Sequence, residues 1–211
     1  MCVIQPVFHL IPNLLSFLIE VFLAKKASLN SPSPPPTHPR KGLVHVLTGD
    51  GKGKTTAALG MVVRALGHGL MVFVAVFMKG DYPYGEWNFL SQFPGIKIAR
   101  FGFRTFTDSA HLKPEEIEQA NQALTAAREA MRSGKYDLVV LDEVNIAAAW
   151  KLVELDEVIR LIRDKPPSVE LVLTGRQADK RLIEIADLVT ECVNIKHPYD
   201  KGTKARMGIE Y

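Results

Sequence analysis

The residues best equipped for chemistry lie in one stretch, Leu47-Thr48-Gly49-Asp50-Gly51-Lys52-Gly53-Lys54-Thr55-Thr56. Glycines at 49, 51 and 53 let successive backbone N–H groups converge on an anion, and the N-terminus of a following helix adds a partial positive charge. Lys54 can reach phosphate oxygens, and the Thr55 hydroxyl can hold Mg²⁺. The expected nucleotide-binding residues are therefore those of the loop, Gly49, Asp50, Gly51, Lys52, Gly53, Lys54, Thr55 and Thr56. The usual form of such a loop, G-x-x-x-x-G-K-[ST], would put its first glycine at position 48. Thr48 stands there and Gly49 follows, so the loop is one residue short. A purely structural glycine turn is the bland alternative. The apolar run Leu43 to Leu47 before the loop and the helical pattern after it favour the phosphate reading.

A second candidate element is Asp137-Leu138-Val139-Val140-Leu141-Asp142-Glu143, a buried strand ending in two carboxylates. Mg²⁺ takes hard oxygen ligands, so Thr55, Asp142 and Glu143 form the expected metal set, with either carboxylate able to act directly or through water. Such a strand can also simply end at a polar turn; its pairing with the glycine loop favours the metal. Two further segments gather aromatics, Met78 to Trp87 and Phe101 to Phe106. In open α/β sheets ligands bind beyond the carboxyl ends of the strands, where such rings can line a site for a large flat ligand or pack beneath the loops. Arg176, in Thr174-Gly175-Arg176, reaches the same edge and can pair with a phosphate or with a surface carboxylate. His68, His111 and His197 stand far apart in sequence and carry no catalytic or metal-binding signature.

The elements that must position these groups follow from hydrophobic periodicity. Leu59, Val62, Val63 and Leu66 recur at helical spacing and end at Gly67 and Gly69. Leu70 to Phe77 is a continuous apolar run of strand length, and Ile96 to Phe101 is another strand. Pro114 followed by Glu115 and Glu116 opens a long helix whose inner face is Ile117, Ala120, Leu124, Ala127 and Met131. Helical segments run on to Arg163 with a break near Leu152 to Leu155. Val169 to Leu173 forms a strand, Ala178 to Ala186 a helix and Leu188 to Ile195 the last strand. Alternating strands and helices predict an α/β fold, a doubly wound, mostly parallel sheet.

A chain of 211 residues suffices for one such domain with an appendage. The net charge of +3, from 26 basic and 23 acidic residues, forms no dense basic stripe, so no nucleic acid partner is expected. Cys2 and Cys192 make neither a disulfide framework nor a metal spacing, which fits a reducing, cytoplasmic setting. Val3 to Ala24 is apolar but interrupted by Pro6, His9, Pro12, Asn13, Ser16 and Glu20. It lacks the roughly twenty continuous apolar residues of a membrane span, and no stable membrane insertion is expected. No basic residue precedes it as a signal peptide would require. Ser31 to Pro39 is a proline-rich linker, so the expected division is 1–40, without an assigned role, and a folded domain over 41–211.

Beyond the short loop, Arg64-Ala65-Leu66-Gly67-His68-Gly69, Lys79-Gly80, Leu141-Asp142-Glu143, Thr174-Gly175-Arg176 and the closing Lys196-His197 through Gly208-Ile209-Glu210-Tyr211 resemble the P-loop-type ATP:corrinoid adenosyltransferases. These are the cob(I)yrinic acid a,c-diamide adenosyltransferases of cobalamin synthesis and salvage. The resemblance covers about residues 41–211 and implies a P-loop NTPase (RecA-like) fold. It implies that Co(I) of a reduced corrinoid attacks C5′ of ATP and releases inorganic triphosphate, the nucleotide lying reversed in the loop. Lys54, Thr55 and Glu143 then form the catalytic set, with Mg²⁺ or Mn²⁺ as cofactor. Lys79, Phe103 and Phe106 fall to the corrinoid, and Arg64 and Arg176 are further candidate site residues. A reductase or flavoprotein supplying Co(I) and a homodimer are the implied partners.

Two departures from the family pattern carry expectations. Family members often have Asn where Asp50 stands; a carboxylate beside phosphates is expected to turn outward or to meet a lysine such as Lys52. Some members set a Phe and a Trp beside the corrinoid, and here Phe103 matches the first while Thr105 takes the second place, with Phe106 next. The family's charged N-terminal helix has no counterpart in the apolar segment, so nothing before Lys41 is carried over. The rival functions are a kinase or NTPase with a variant loop, which would release ADP or phosphate, and a non-enzymatic corrinoid carrier. A carrier commonly shows D-x-H-x-x-G; Asp108-Ser109-Ala110-His111 has the wrong spacing.

Overall fold

The computed structural model describes residues 41–80, 82–103 and 109–211. Six strands form one sheet: β1 (Val44–Thr48), β2 (Val72–Val76), β3 (Ile96–Arg100), β4 (Leu138–Asp142), β5 (Glu170–Thr174) and β6 (Leu188–Glu191). Their order is β3-β2-β4-β5-β1-β6, and every pairing is parallel. The mostly parallel α/β sheet expected from the alternating pattern is thus present.

Parallel strands must bury both faces, and alternate residues of β2, with Phe77 just after it, do so. Phe73, Ala75 and Phe77 join one core with helices α3 (Pro114–Arg132) and α5 (Leu155–Arg163). Val72, Val74 and Val76 join the other with α1 (Lys54–Gly67) and α2 (Gly85–Leu90). The short α4 (Val144–Ala149) and α6 (Lys180–Ile185) complete the α-helices among the described residues. In α1 the buried stripe is turned from the expected one: Ala58, Val62 and Ala65 face the sheet, whereas Val63 is exposed. Small side chains let the helix sit close to the strands that carry the loop. In α3, Ala120, Leu124, Ala127 and Met131 are buried as the spacing predicts, and Ile117 is partly exposed. Glu116 accepts from the backbone N–H of Lys113 at 3.0 Å and caps that helix.

Two boundaries differ for identifiable reasons. The segment around Trp87, read as loop, contains α2, because Trp87 and Leu90 drop into the core and pull the chain into a helical turn. The last strand stops at Glu191 rather than Ile195. Cys192 N–H donates to Thr48 O at 2.8 Å, and its carbonyl accepts from Gly51 N–H at 2.6 Å. The chain after β6 therefore clasps the glycine loop instead of extending the ladder. Among the described residues no helix is long and apolar enough to cross a membrane.

Candidate active site

The carboxyl ends of β1, β2, β4 and β5 converge on a cavity of about 860 Å³. Its floor is the loop between β1 and α1. Gly49 has φ +95°, and a Cβ there would stand 2.5 Å from the Cys192 carbonyl, so no other residue fits without moving the strand behind it. Asp50, Gly51, Lys52, Gly53, Lys54, Thr55 and Thr56 all line the cavity. The Lys54 ammonium donates to the carbonyls of Gly49 at 2.6 Å and Gly51 at 2.7 Å. An ammonium has three donors, so one remains for a phosphate oxygen. Burial lowers the proton affinity of Lys54 below the ordinary lysine value, and the charge of Glu143 works against that shift.

Asp50 points away from the loop interior, largely exposed, with its Oδ1 4.0 Å from Arg176 Nε. This is the outward orientation expected of a carboxylate near phosphates, but its partner is an arginine and not Lys52. Lys52 instead donates to Glu210 Oε1 at 3.0 Å and to Ile209 O at 3.4 Å. Arg206 grips the same carboxylate, its Nη2 3.0 Å from Oε1, and these partners pull the Glu210 carboxyl down to about 2. The segment Gly208 to Tyr211 thus forms part of the cavity wall, and the Tyr211 ring meets Tyr82 edge-on at 5.4 Å.

At the end of β4, Asp142 is fully buried. The register sets Leu141 beside Leu173, so the next residues, Asp142 and Thr174, meet across β4 and β5. Oδ1 of Asp142 accepts hydroxyl hydrogens from Thr174 at 2.7 Å and Thr55 at 2.8 Å. Oδ2 accepts from Lys79 Nζ at 2.8 Å, and the same ammonium lies 3.2 Å from Glu143 Oε1. Burial alone would raise the Asp142 pKa, but Lys79 and the two hydroxyls outweigh it and hold the carboxyl below its ordinary value. Burial likewise works against the Lys79 ammonium, and the two carboxylates outweigh it, raising its pKa. Glu143 adopts a left-handed backbone (φ 69°), which is rare for a residue with a side chain, and its N–H donates to Thr174 Oγ1 at 3.0 Å.

Thr55, Asp142 and Glu143, the expected metal set, are thus linked, Thr55 to Asp142 directly and Asp142 to Glu143 through Lys79. They suit the divalent cation that such a loop implies: all are hard oxygen donors, and a cation already stands against two of them in the form of the Lys79 ammonium.

Lys79, expected at the corrinoid, lines the cavity and pairs with Asp142 and Glu143, because a buried carboxylate demands a cation. Arg64 lies on the last turn of α1, roughly 15 Å along the helix from the loop at 1.5 Å per residue, and does not line the cavity. Phe103 is half-exposed on the cavity wall, and Arg176 lines it too. Phe106 falls outside the described residues.

Several contributors carried no local signal. Thr174 and the wall formed by Gly208 to Tyr211 reach the cavity only through tertiary contact, although both lie in segments on which the family resemblance rests. Asn145 is buried and donates to Leu47 O at 3.2 Å and Gly175 O at 3.1 Å, tying the end of β1 to that of β5. Tyr84 sits 5.5 Å from Lys79 Nζ, its ring facing the ammonium.

A glycine-lysine loop that leads from the first strand of a parallel sheet into its first helix places the molecule in the P-loop nucleotide-binding class. Within that class, the chain belongs to the ATP:corrinoid adenosyltransferase family, since residues 40–211 match the family described as ATP:corrinoid adenosyltransferase BtuR/CobO/CobP. It is 39% identical over 173 residues to a corrinoid adenosyltransferase of Sinorhizobium sp, covering 81% of each chain. It is 38% identical to the corrinoid adenosyltransferase CobA of Salmonella typhimurium over 171 residues, 81% of this chain and 86% of that protein. The corrinoid adenosyltransferase of Escherichia coli K12 is 34% identical over the same shares.

Proposed function

We propose that the protein transfers the 5′-deoxyadenosyl group of ATP to the Co(I) of a corrinoid and releases inorganic triphosphate, as a step of cobalamin biosynthesis or salvage. The observation that carries this reading is the continuity of one cavity from the phosphate loop to an aromatic wall. Its volume of about 860 Å³ lies near the upper end of the range for ligand pockets, roughly 300–1,000 Å³. Lys52, Lys54 and Thr55 line the cavity together with the rings of Tyr84, Phe103 and Trp150. A polyanion and a flat apolar surface can be held against each other in such a space.

The reaction needs no protein base. The electron pair of Co(I) forms the bond to C5′, cobalt becomes formally Co(III), and the C5′–O pair leaves on the triphosphate. What the protein contributes is positioning and charge. Lys54, with the donor left after its bonds to Gly49 and Gly51, stabilises negative charge growing on the leaving group. Mg²⁺, held by Thr55 with Asp142 and Glu143, would add a compact positive charge at the phosphates.

The same reading includes a separate reductase or flavoprotein as the source of Co(I), and residence in the cytoplasm. It also includes a homodimer. Leu188 and Val189 are exposed on the edge strand β6, which pairs only with β1 among the described residues, and this supports pairing of two chains.

The test is ³¹P NMR of a mixture of protein, Mg²⁺, ATP and chemically reduced corrinoid. Triphosphate is expected to accumulate in step with loss of the Co(I) spectrum. Stoichiometric ADP would reject adenosyl transfer and establish phosphoryl transfer in its place.

A further inference from the structure

Lys79 stands in an unusual position for a lysine beside a nucleotide loop. Its ammonium reaches both Asp142 Oδ2 (2.8 Å) and Glu143 Oε1 (3.2 Å), the oxygens left over after the Thr55 and Thr174 hydroxyls have occupied Oδ1 of Asp142. The backbone carrying it is fixed as well, because Arg100 Nη2 donates to the Lys79 carbonyl at 3.2 Å. The ammonium also lies over the Tyr84 ring, 5.5 Å from its centroid, and Lys79, Tyr84 and Glu143 all line the cavity.

We propose that Lys79 is a built-in occupant of the divalent-cation position, balancing Asp142 and Glu143 in the nucleotide-free protein and yielding to the metal only when the triphosphate arrives with it. This rests on the reading that the cavity takes a metal–nucleotide complex, and it makes Lys79 a positioning residue for that complex.

The physical reason is charge. Two carboxylates and one ammonium sum to a single negative charge, so a dication entering alone meets a pair with half its charge already balanced and a like charge at contact distance. A bound triphosphate supplies several negative charges at once. The metal and the ammonium then no longer compete for the same two carboxylates. Until that point the ammonium keeps the buried Asp142 paired, and so prevents the cost of an isolated buried anion. The arrangement gives an order of binding: nucleotide and metal enter together, and metal alone does not.

Mn²⁺ binding to nucleotide-free protein, followed by electron paramagnetic resonance, tests this. Wild-type protein is expected to leave Mn²⁺ in its free aqueous signal and to take it up on addition of ATP. Lys79→Met, without nucleotide, should bind Mn²⁺ more tightly by roughly tenfold or more, since one adjacent positive charge is gone. Lys79→Arg keeps the charge and should behave as wild type. Equal Mn²⁺ affinity in wild type and Lys79→Met, with Mn²⁺ uptake on ATP intact, overturns the assignment alone. A wild type that takes up no Mn²⁺ even with ATP overturns the nucleotide-site reading as well. Where Lys79→Met does not fold in metal-free buffer, thermal melts carry the test. Recovery of the folded state by Mg²⁺ alone supports the proposal, and failure of Mg²⁺ to rescue it overturns the proposal.

Discussion

Lys54→Ala is expected to lower the rate of adenosyl transfer by about 10²–10³-fold at saturating ATP, the loss typical of a single preorganised electrostatic donor. The side chain is buried beneath the loop and already oriented by the carbonyls of Gly49 and Gly51. No reorganisation is therefore needed when charge develops on the leaving group of the proposed reaction. An interaction that strengthens in the transition state shows in kcat, whereas one equal in ground and transition states shows only in KM. Single-turnover rates with prereduced corrinoid separate the two. A change confined to KM would assign Lys54 to holding ATP and remove it from the catalytic set.

Asp142→Ala is expected to destabilise the folded protein by about 3 kcal/mol or more, because one partner of a buried ion pair is removed. Lys79 loses its shorter contact and keeps only Glu143, and the Thr55 and Thr174 hydroxyls lose their common acceptor. For a chain of this size that corresponds to a fall in Tm of roughly 6–12 °C. Asp142→Asn retains an acceptor for the hydroxyls and should lose less. The effect also has a sign in pH. Asp142 is held below the ordinary carboxylate range when folded, so its contribution is present above the unfolded value of about 4 and disappears as pH falls through the folded value. Denaturant melts of wild type and variant should therefore converge in acid. A constant gap at all pH values would mean that the lost stability comes from packing and not from the ion pair.

The loop, the carboxylate strand and the parallel sheet were legible in the sequence because each is a local pattern: closely spaced glycines, an apolar run ending in acids, strands alternating with helices. Thr55, Asp142 and Glu143 could be grouped because strand ends of one parallel sheet must share an edge. What stayed hidden depended on distant parts of the chain. Nothing around Lys79 says that its ammonium faces a carboxylate 63 residues on rather than an incoming ligand. Glu210 and Tyr211 belong to a segment with no hydrophobic period, so their place in the cavity wall follows only from Lys52 and Tyr82. The helix at Trp87 was hidden for a related reason, since six residues are too few to show a period and burial decides their shape.

The order of the strands also governs when the molecule becomes competent during its own synthesis. Strands β2, β3 and β4 are neighbours and can pair as soon as residue 142 has emerged from the ribosome. The strand that leads into the phosphate loop, β1, lies between β5 and β6, whose residues are the last of the sheet to be made. Through most of translation β1 therefore has no partner on either side, and pairing across more than 120 residues is the slow, entropically costly kind. The loop is clasped only when the Cys192 carbonyl arrives to accept the Gly51 N–H. A nascent chain stopped short of β6 can hold most of its sheet and still lacks the backbone that clasps the glycine loop, so that clasp is among the last contacts of the sheet to form.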